Sequence, residues 1–183
     1  VVLGALAAYY QKLDNVMMRI VDIIGGIPQM LLAMAIAASL GSGLRNMMIA
    51  VIISTIPQYA RITRSSVLTI KESEYVEAAK SIGASDGHII FQHILPNVMS
   101  PIIVQSTLGV ANAIMASATL SFMGLGIQPP SPEWGAMLAA GRVYLRDYPH
   151  MCIIPGVALL LISYALNVLG DGFRDAFDPR LKN

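Results

Sequence analysis

Charged side chains are scarce in this sequence: 12 Lys and Arg and 11 Asp and Glu make up 13% of 183 residues, about half the share of a water-soluble domain. With 55% hydrophobic residues and a mean hydropathy of +0.63, that shortage argues against a fold surrounded by water and against disorder. A net charge of +1 leaves no electrostatic footprint for nucleic acid. Cysteine is limited to Cys152, which excludes a disulfide framework or a cysteine-rich metal site and reads as a packing residue. No G-x-x-x-x-G-K-[ST] loop is present to bind a nucleotide. Neither an H-E-x-x-H pair nor a G-x-S-x-G elbow offers machinery for intramembrane hydrolysis. His88, His93 and His150 read as solvated or packed rather than ligating, and the eleven methionines as apolar filler.

What is present is long uncharged chain. Stretches 23–44, 46–60, 87–132 and 148–170 contain no Asp, Glu, Lys or Arg, and a helix crosses a bilayer with roughly 20 apolar residues. The second stretch reaches that length if Arg61 and Arg64 extend to the headgroups. The expected architecture is an all-α polytopic membrane domain over 1–183, with spans at about 1–10 (partial), 25–40, 46–64, 97–123 and 150–169. The opening VVLGALAAYY resembles the last turns of an apolar helix without a signal-peptide n-region, so the chain is expected to enter mid-span, as a fragment. Residues 11–22 mix charges with Val16, Met17, Met18 and Ile20 and suit a short interfacial helix. Gly41-Ser42-Gly43 ends one span, and Pro57 is expected to kink the next.

Lys and Arg set the orientation. Segments 11–22, 61–96 and 171–183 carry Lys12, Arg19, Arg61, Arg64, Lys71, Lys80, Arg174, Arg180 and Lys182, whereas Arg45, Arg142 and Arg146 fall opposite. The larger set points to the cytoplasm, which makes 65–96 a cytoplasmic loop and 124–149 an exterior one. Trp134, Tyr144 and Tyr148 then fall where an aromatic belt is expected.

The spans hold no ionisable residue at depth, unlike the secondary transporters and proton pumps that need a ligand for a coupling ion there. Their polar side chains are neutral, densest between residues 105 and 121. For any one of them, hydroxyls and amides that bond neighbouring helices are the simpler reading. As a group, Gln105, Ser106, Asn112, Ser117 and Thr119 are the candidates to line a water-filled path. Energy for transport would then come from elsewhere, and a partner ATPase is the natural inference.

In the cytoplasmic loop, residues 72–82 place Tyr75, Val76, Ala79 and Ile82 on one helical face, with Glu72, Glu77 and Lys80 around the rest. Gly83 can adopt the left-handed conformation that ends this helix. Ser85 or Asp86 can cap a second one carrying Ile89, Ile90, Ile94 and Leu95 up to Pro96.

Glu77-Ala78-Ala79, Gly83 and Ile94-Leu95-Pro96 together resemble the EAA motif of permease subunits in binding-protein-dependent ABC importers. Gly124-Leu125-Gly126-Ile127-Gln128-Pro129-Pro130 with Pro132-Glu133-Trp134-Gly135 resembles the C-type permease of the dipeptide, oligopeptide and nickel branch. So does the tail Asn167-Val168-Leu169-Gly170-Asp171-Gly172-Phe173-Arg174-Asp175 with Asp178-Pro179-Arg180-Leu181. Met18-Arg19-Ile20-Val21-Asp22 extends the likeness, which covers essentially the whole chain.

The resemblance implies the type I ABC importer (MetI-like) helical bundle, lacking here the additional first span and exterior segment of a complete family member. It implies a multi-pass permease of the bacterial inner membrane that is not itself an enzyme. A second homologous permease would complete the path for short peptides, with nickel or another small solute as the alternative. Two cytoplasmic ATP-binding subunits would hold ATP and Mg, this chain carrying no cofactor or metal, and an extracytoplasmic binding protein would deliver the solute. The EAA helix would seat in a cleft of the ATPase, with Glu77 facing basic residues, and Pro129, Pro130 and Trp134 would shape the exterior loop. Rivals of other classes are a secondary transporter and a membrane scaffold or receptor subunit.

Overall fold

The computed structural model describes residues 1–177, apart from the side chains of Gln11 and Phe177. Arg180 and Lys182 of the basic count, and the Asp178-Pro179-Arg180-Leu181 part of the tail motif, lie outside the described residues. The elements in chain order are α1 (Val2–Tyr9), α2 (Gln11–Gly25), α3 (Gln29–Leu40), α4 (Leu44–Lys71) and α5 (Glu74–Ser81). Then come α6 (Asp86–Phe122), which contains one widened turn, α7 (Trp134–Gly141), a 3-10 turn (Arg142–Tyr144) and α8 (His150–Phe177). The described residues include no strand.

Among them, α6 and α8 are long and apolar enough to cross a membrane by themselves, and Lys12–Gly25 with Gln29–Leu40 passes the same test only as a broken pair. The 28 residues of α4 would extend about 42 Å. It nevertheless falls outside that set. Among the boundaries that differ from the sequence expectation, such as α3 starting at Gln29 and α8 running on to Phe177, two bear on the cytoplasmic loop. First, α4 runs on through 65–71, because Val67 is fully buried and the Ser66 and Thr69 hydroxyls are absorbed by carbonyls one turn back in the same helix. Second, α6 starts at Asp86, so Ile94, Leu95 and Pro96 belong to a long helix rather than to a connection before it.

The widened turn explains how the chain passes Pro96. Residues Ile89–Ile94 form a π-turn, in which the Leu95 N–H reaches the Ile90 carbonyl five residues back. A proline crowds the carbonyl four residues before it and offers no donor. The extra residue in the turn makes room and brings Ile89 and Ile94, five apart, to the same inner side. Both are buried.

The described chain divides into two compact units. One comprises Val1–Gly26, Ile56–Gln105 and the segment from Arg174. Its core joins Ala5, Ala8 and Tyr9 of α1, Val67 of α4, Val76 and Ala79 of α5, and Ile89, Ile94, Val98 and Ile102 of α6. Polar ties secure the same elements. The Tyr9 hydroxyl donates to Asp86 Oδ1 at 2.6 Å, and Lys71 Nζ donates to the Ala8 and Tyr9 carbonyls at 3.1 and 2.8 Å. Those carbonyls end α1 and have no intrahelical partner, so the ammonium both satisfies them and meets the negative end of the helix dipole. Along α2, Asp14 receives two bonds from Arg64 at 2.6 Å each, and Asp22 one from Arg61 at 3.1 Å.

The other unit comprises Ile27–Thr55 and Ser106–Phe173. Ala33 and Ala37 of α3 meet Met47, Ala50 and Val51 of α4 and Leu120 of α6 in its core, where small side chains let helices approach closely. After α6, the Gly124 and Leu125 N–H groups turn back to the Ser121 and Leu120 carbonyls. The Gly43 N–H then binds the Gly126 carbonyl at 3.0 Å, and the buried Ser121 hydroxyl accepts from the Ile127 N–H. The Gly124–Ile127 motif is thus the stop of α6 and its dock onto the 41–43 turn.

Candidate functional site

The EAA segment forms α5, within the first unit. Glu74 and Glu77 occupy its first turn and Lys80 its last, the charge order that complements a helix dipole. Ser73 stands at the start in extended conformation, its hydroxyl donating to the Ile70 carbonyl at 2.6 Å and so closing α4 rather than capping α5. At the other end the Gly83 N–H bonds the Lys80 carbonyl and the Ala84 N–H bonds the Ala79 carbonyl. This paired closure requires the left-handed residue that Gly83 supplies at φ +82°. The next helix begins at once, with the Ser85 hydroxyl accepting from the His88 N–H. Asp86, the other capping candidate, is taken by Tyr9.

Val76 and Ala79 alone form the buried stripe of α5. Tyr75 and Ile82, expected on the same face, point outward, Ile82 being 85% exposed. It lies past the last helical residue with φ −87° and ψ 6°, so helical periodicity no longer applies to it. Fully burying a valine contributes roughly 1.5–3 kcal/mol, enough for Val76 to seat the short helix on Ile89, Ile94 and Val98. Glu77 and Ala78 are exposed, and Glu77 forms no ion pair among the described residues. Ile94 is buried, Leu95 half-buried and Pro96 exposed, all on α6 beneath α5 in the same unit.

The path-lining candidates do not share one face. Gln105, Asn112 and Thr119 recur at seven-residue spacing and fall on one stripe of α6, while Ser106 and Ser117 project elsewhere. The Thr119 hydroxyl is taken by the Met115 carbonyl at 2.7 Å, and the Gln105 carbonyl accepts from Tyr59 at 3.4 Å. Asn112 and Ser106 are exposed. Ser117 lines an apolar groove of about 400 Å³ in the second unit, together with Glu133 and Trp134.

Pro129 and Pro130 are exposed and joined by a cis peptide bond. Glu133 caps α7 by accepting from the Ala136 N–H at 2.7 Å. Trp134 opens that helix, 40% exposed, and Gly135 lies so close to Ala118 that a Cβ there would overlap its backbone.

Sequence reading missed the links that hold α5 in place: Tyr9 with Asp86, and Lys71 with the end of α1. Their only sequence signal is a charged residue at each end of the 72–85 segment. No group of three or more His, Cys, Asp or Glu among the described residues could hold a metal ion.

Residues 1–183 match throughout the family described as binding-protein-dependent transport system inner membrane component. The chain belongs to that family. The match bears out the resemblance carried by the EAA segment and identifies the chain as a membrane protein. Among curated relatives, the dipeptide transport system permease protein DppC of Alkalihalophilus pseudofirmus is 46% identical over 182 residues, covering 99% of this chain and 60% of that protein. The glutathione transport system permease protein GsiD of Pectobacterium atrosepticum is 47% identical over 182 residues, with the same coverages. This family member therefore spans about 60% of the length of those relatives.

Among solved structures, the MetNI methionine ABC transporter in inward-facing conformations superposes with a TM-score of 0.74 at 18% identity, covering 96% of this chain and 84% of that one. The likeness concerns fold, and it bears out the type I importer permease bundle.

Proposed function

We propose that this chain forms one half of the translocation path of an ATP-driven importer of short peptides and receives the ATPase stroke through α5. The observation that carries the coupling role is the presentation of α5: anchored by Val76 and Ala79, stopped by Gly83, and showing Glu77 and Ala78 outward. Ala78 admits close approach by a partner backbone, and Glu77 supplies an uncompensated negative charge for a basic cleft. The names of the relatives, a dipeptide and a glutathione permease, support peptides as the solute class.

In this reading a second, homologous permease closes the path, and a solute-binding protein delivers peptide from outside. Two cytoplasmic subunits bind ATP and Mg and perform the hydrolysis, for which this chain has no nucleotide loop. Closure of the ATPase pair pushes α5, and α5 moves with the core of its unit because Val76 is locked among α6 side chains. Such a push biases a two-state element and involves no chemical step in this chain.

The test is labelled dipeptide uptake by proteoliposomes containing the assembled transporter. Uptake should stop on ATP depletion and continue when the membrane potential is collapsed. The opposite pattern would identify an ion-coupled carrier and end this reading.

A further inference from the structure

The outer side of α2 combines two features that the transport path does not use. Leu13, Val16, Ile20 and Ile23 recur at spacings of three and four, so they form one stripe, and they are 44–74% exposed. Lys12 and Arg19, seven apart, form an exposed edge along that stripe and have no ion pair among the described residues. The opposite side of α2 is already occupied: Val21 is buried, and Asp14 and Asp22 are neutralised by Arg64 and Arg61 of α4. The free side of the helix is therefore apolar with a net positive border. Beside it, Met17, Ile20, Val21 and Ile24 of α2, with Leu3 and Ile56, wall an apolar groove of about 200 Å³ within the same unit.

We infer that α2 is a docking surface for the cytoplasmic leaflet of the bilayer. The Leu13–Ile23 stripe would enter the acyl boundary, with Lys12 and Arg19 against the phosphates of anionic phospholipid and an acyl chain in the Ile20 groove. A partner helix would explain the apolar stripe but not its unpaired basic border, whereas an apolar face edged by Lys and Arg is the pattern of helices lying in the membrane interface. Anionic headgroups complement that border, each basic residue near such a surface adding attraction of a fixed order. The inference rests on the permease reading only for which leaflet α2 meets.

The test uses the assembled transporter in proteoliposomes of phosphatidylcholine with one quarter phosphatidylglycerol, in a Cys152→Ala background. Nitroxide labels on Val16→Cys and Ile23→Cys should collide readily with oxygen and poorly with a water-soluble nickel chelate. A label on Asn15→Cys, at the polar edge, should show the reverse. Access of the chelate to Val16 and Ile23 would overturn the proposal, as would shielding from both reagents, which would mean that protein covers the stripe. Phosphatidylglycerol should also be enriched among co-purified lipids, and Lys12→Gln with Arg19→Gln should lower that enrichment by about fivefold for each charge removed. Unchanged enrichment would reject the anionic partner. ATP-driven uptake by the same vesicles separates the two readings: absent uptake with lipid-facing labels fails the permease reading alone, and normal uptake with water-facing labels fails this one alone.

Discussion

Asp14 and Arg64 lie fifty positions apart in the chain and meet in a two-pronged pair, Nε to Oδ1 and Nη2 to Oδ2, each at 2.6 Å. Both side chains are largely withdrawn from water, at 20% and 33% exposure, and the planar fork of Arg is matched by a carboxylate as by no other side chain. The hydrogen bonds from Arg64 hold the Asp14 carboxyl below its ordinary range, desolvation opposes this, and the charges of Arg64 and Lys71 reinforce it.

Asp14→Asn should destabilise the transporter by about 1–2 kcal/mol, the contribution of a charged hydrogen bond reduced by partial exposure. The pH dependence carries a sign. A carboxyl depressed by folding stabilises fully above its unfolded value, about 3.9, and that contribution is lost as pH falls through the lower folded value. Thermal unfolding of the purified transporter should therefore show a steeper acid limb below about pH 4 for the native protein than for Asp14→Asn. Superimposable acid limbs would mean that the pair contributes nothing to linkage.

Glu77→Lys should uncouple the transporter without unfolding it. An exposed helix residue usually shifts stability by no more than about 0.5 kcal/mol, so insertion and abundance should be normal. In the proposed seat opposite a basic cleft, attraction becomes repulsion, and truncating one partner of a desolvated pair already costs about 2–5 kcal/mol. ATPase subunits should be lost during purification, and uptake with them. Wild-type uptake with the ATPases retained would reduce Glu77 to a solvated side chain.

Two glycines should fail in different ways. Around Gly83 a new Cβ meets nothing within 4 Å, so Gly83→Ala adds only the left-handed penalty of about 1–2 kcal/mol. It should lower uptake more than abundance by re-aiming α5. Gly135→Ala drives a methyl into the Ala118 backbone, an overpacking that costs about 1–3 kcal/mol, and should lower the melting temperature and the yield. Equal loss of yield in both variants would refute the distinction.

Topology is open to direct labelling. With Cys152→Ala as background, Ser85→Cys and Ser131→Cys, both at exposed positions, should react with an impermeant thiol reagent from opposite faces, Ser131 from outside. Reaction from one common face would overturn the span assignment.

Local chemistry was legible in the sequence. Gly83 announced its left-handed closure, Ser85 its cap, and Val76 with Ala79 their shared face, because each depends on neighbours within one helical turn. Ile82 broke the pattern because periodicity ends where the helix ends. The π-turn before Pro96 needed knowledge that the chain continues as helix beyond it, which a proline by itself argues against. The partners of Asp14, Asp22, Tyr9 and Lys71 lie 39–77 positions away. Charge content foretells that such residues require partners; only the crossing of α1, α2 and α4 within their unit selects which.

Lys71 and Asp86 stand just outside the two ends of the 72–85 segment and both grip the end of α1, one by its last carbonyls and the other by the Tyr9 hydroxyl. The segment is thereby buckled onto a third helix, like a strap fastened at both holes. A force applied to α5 reaches α1 through the few residues at either end that lead to these bonds. In the proposed coupling role, the last turn of α1 is thus the anvil against which a thrust on the EAA helix would be delivered.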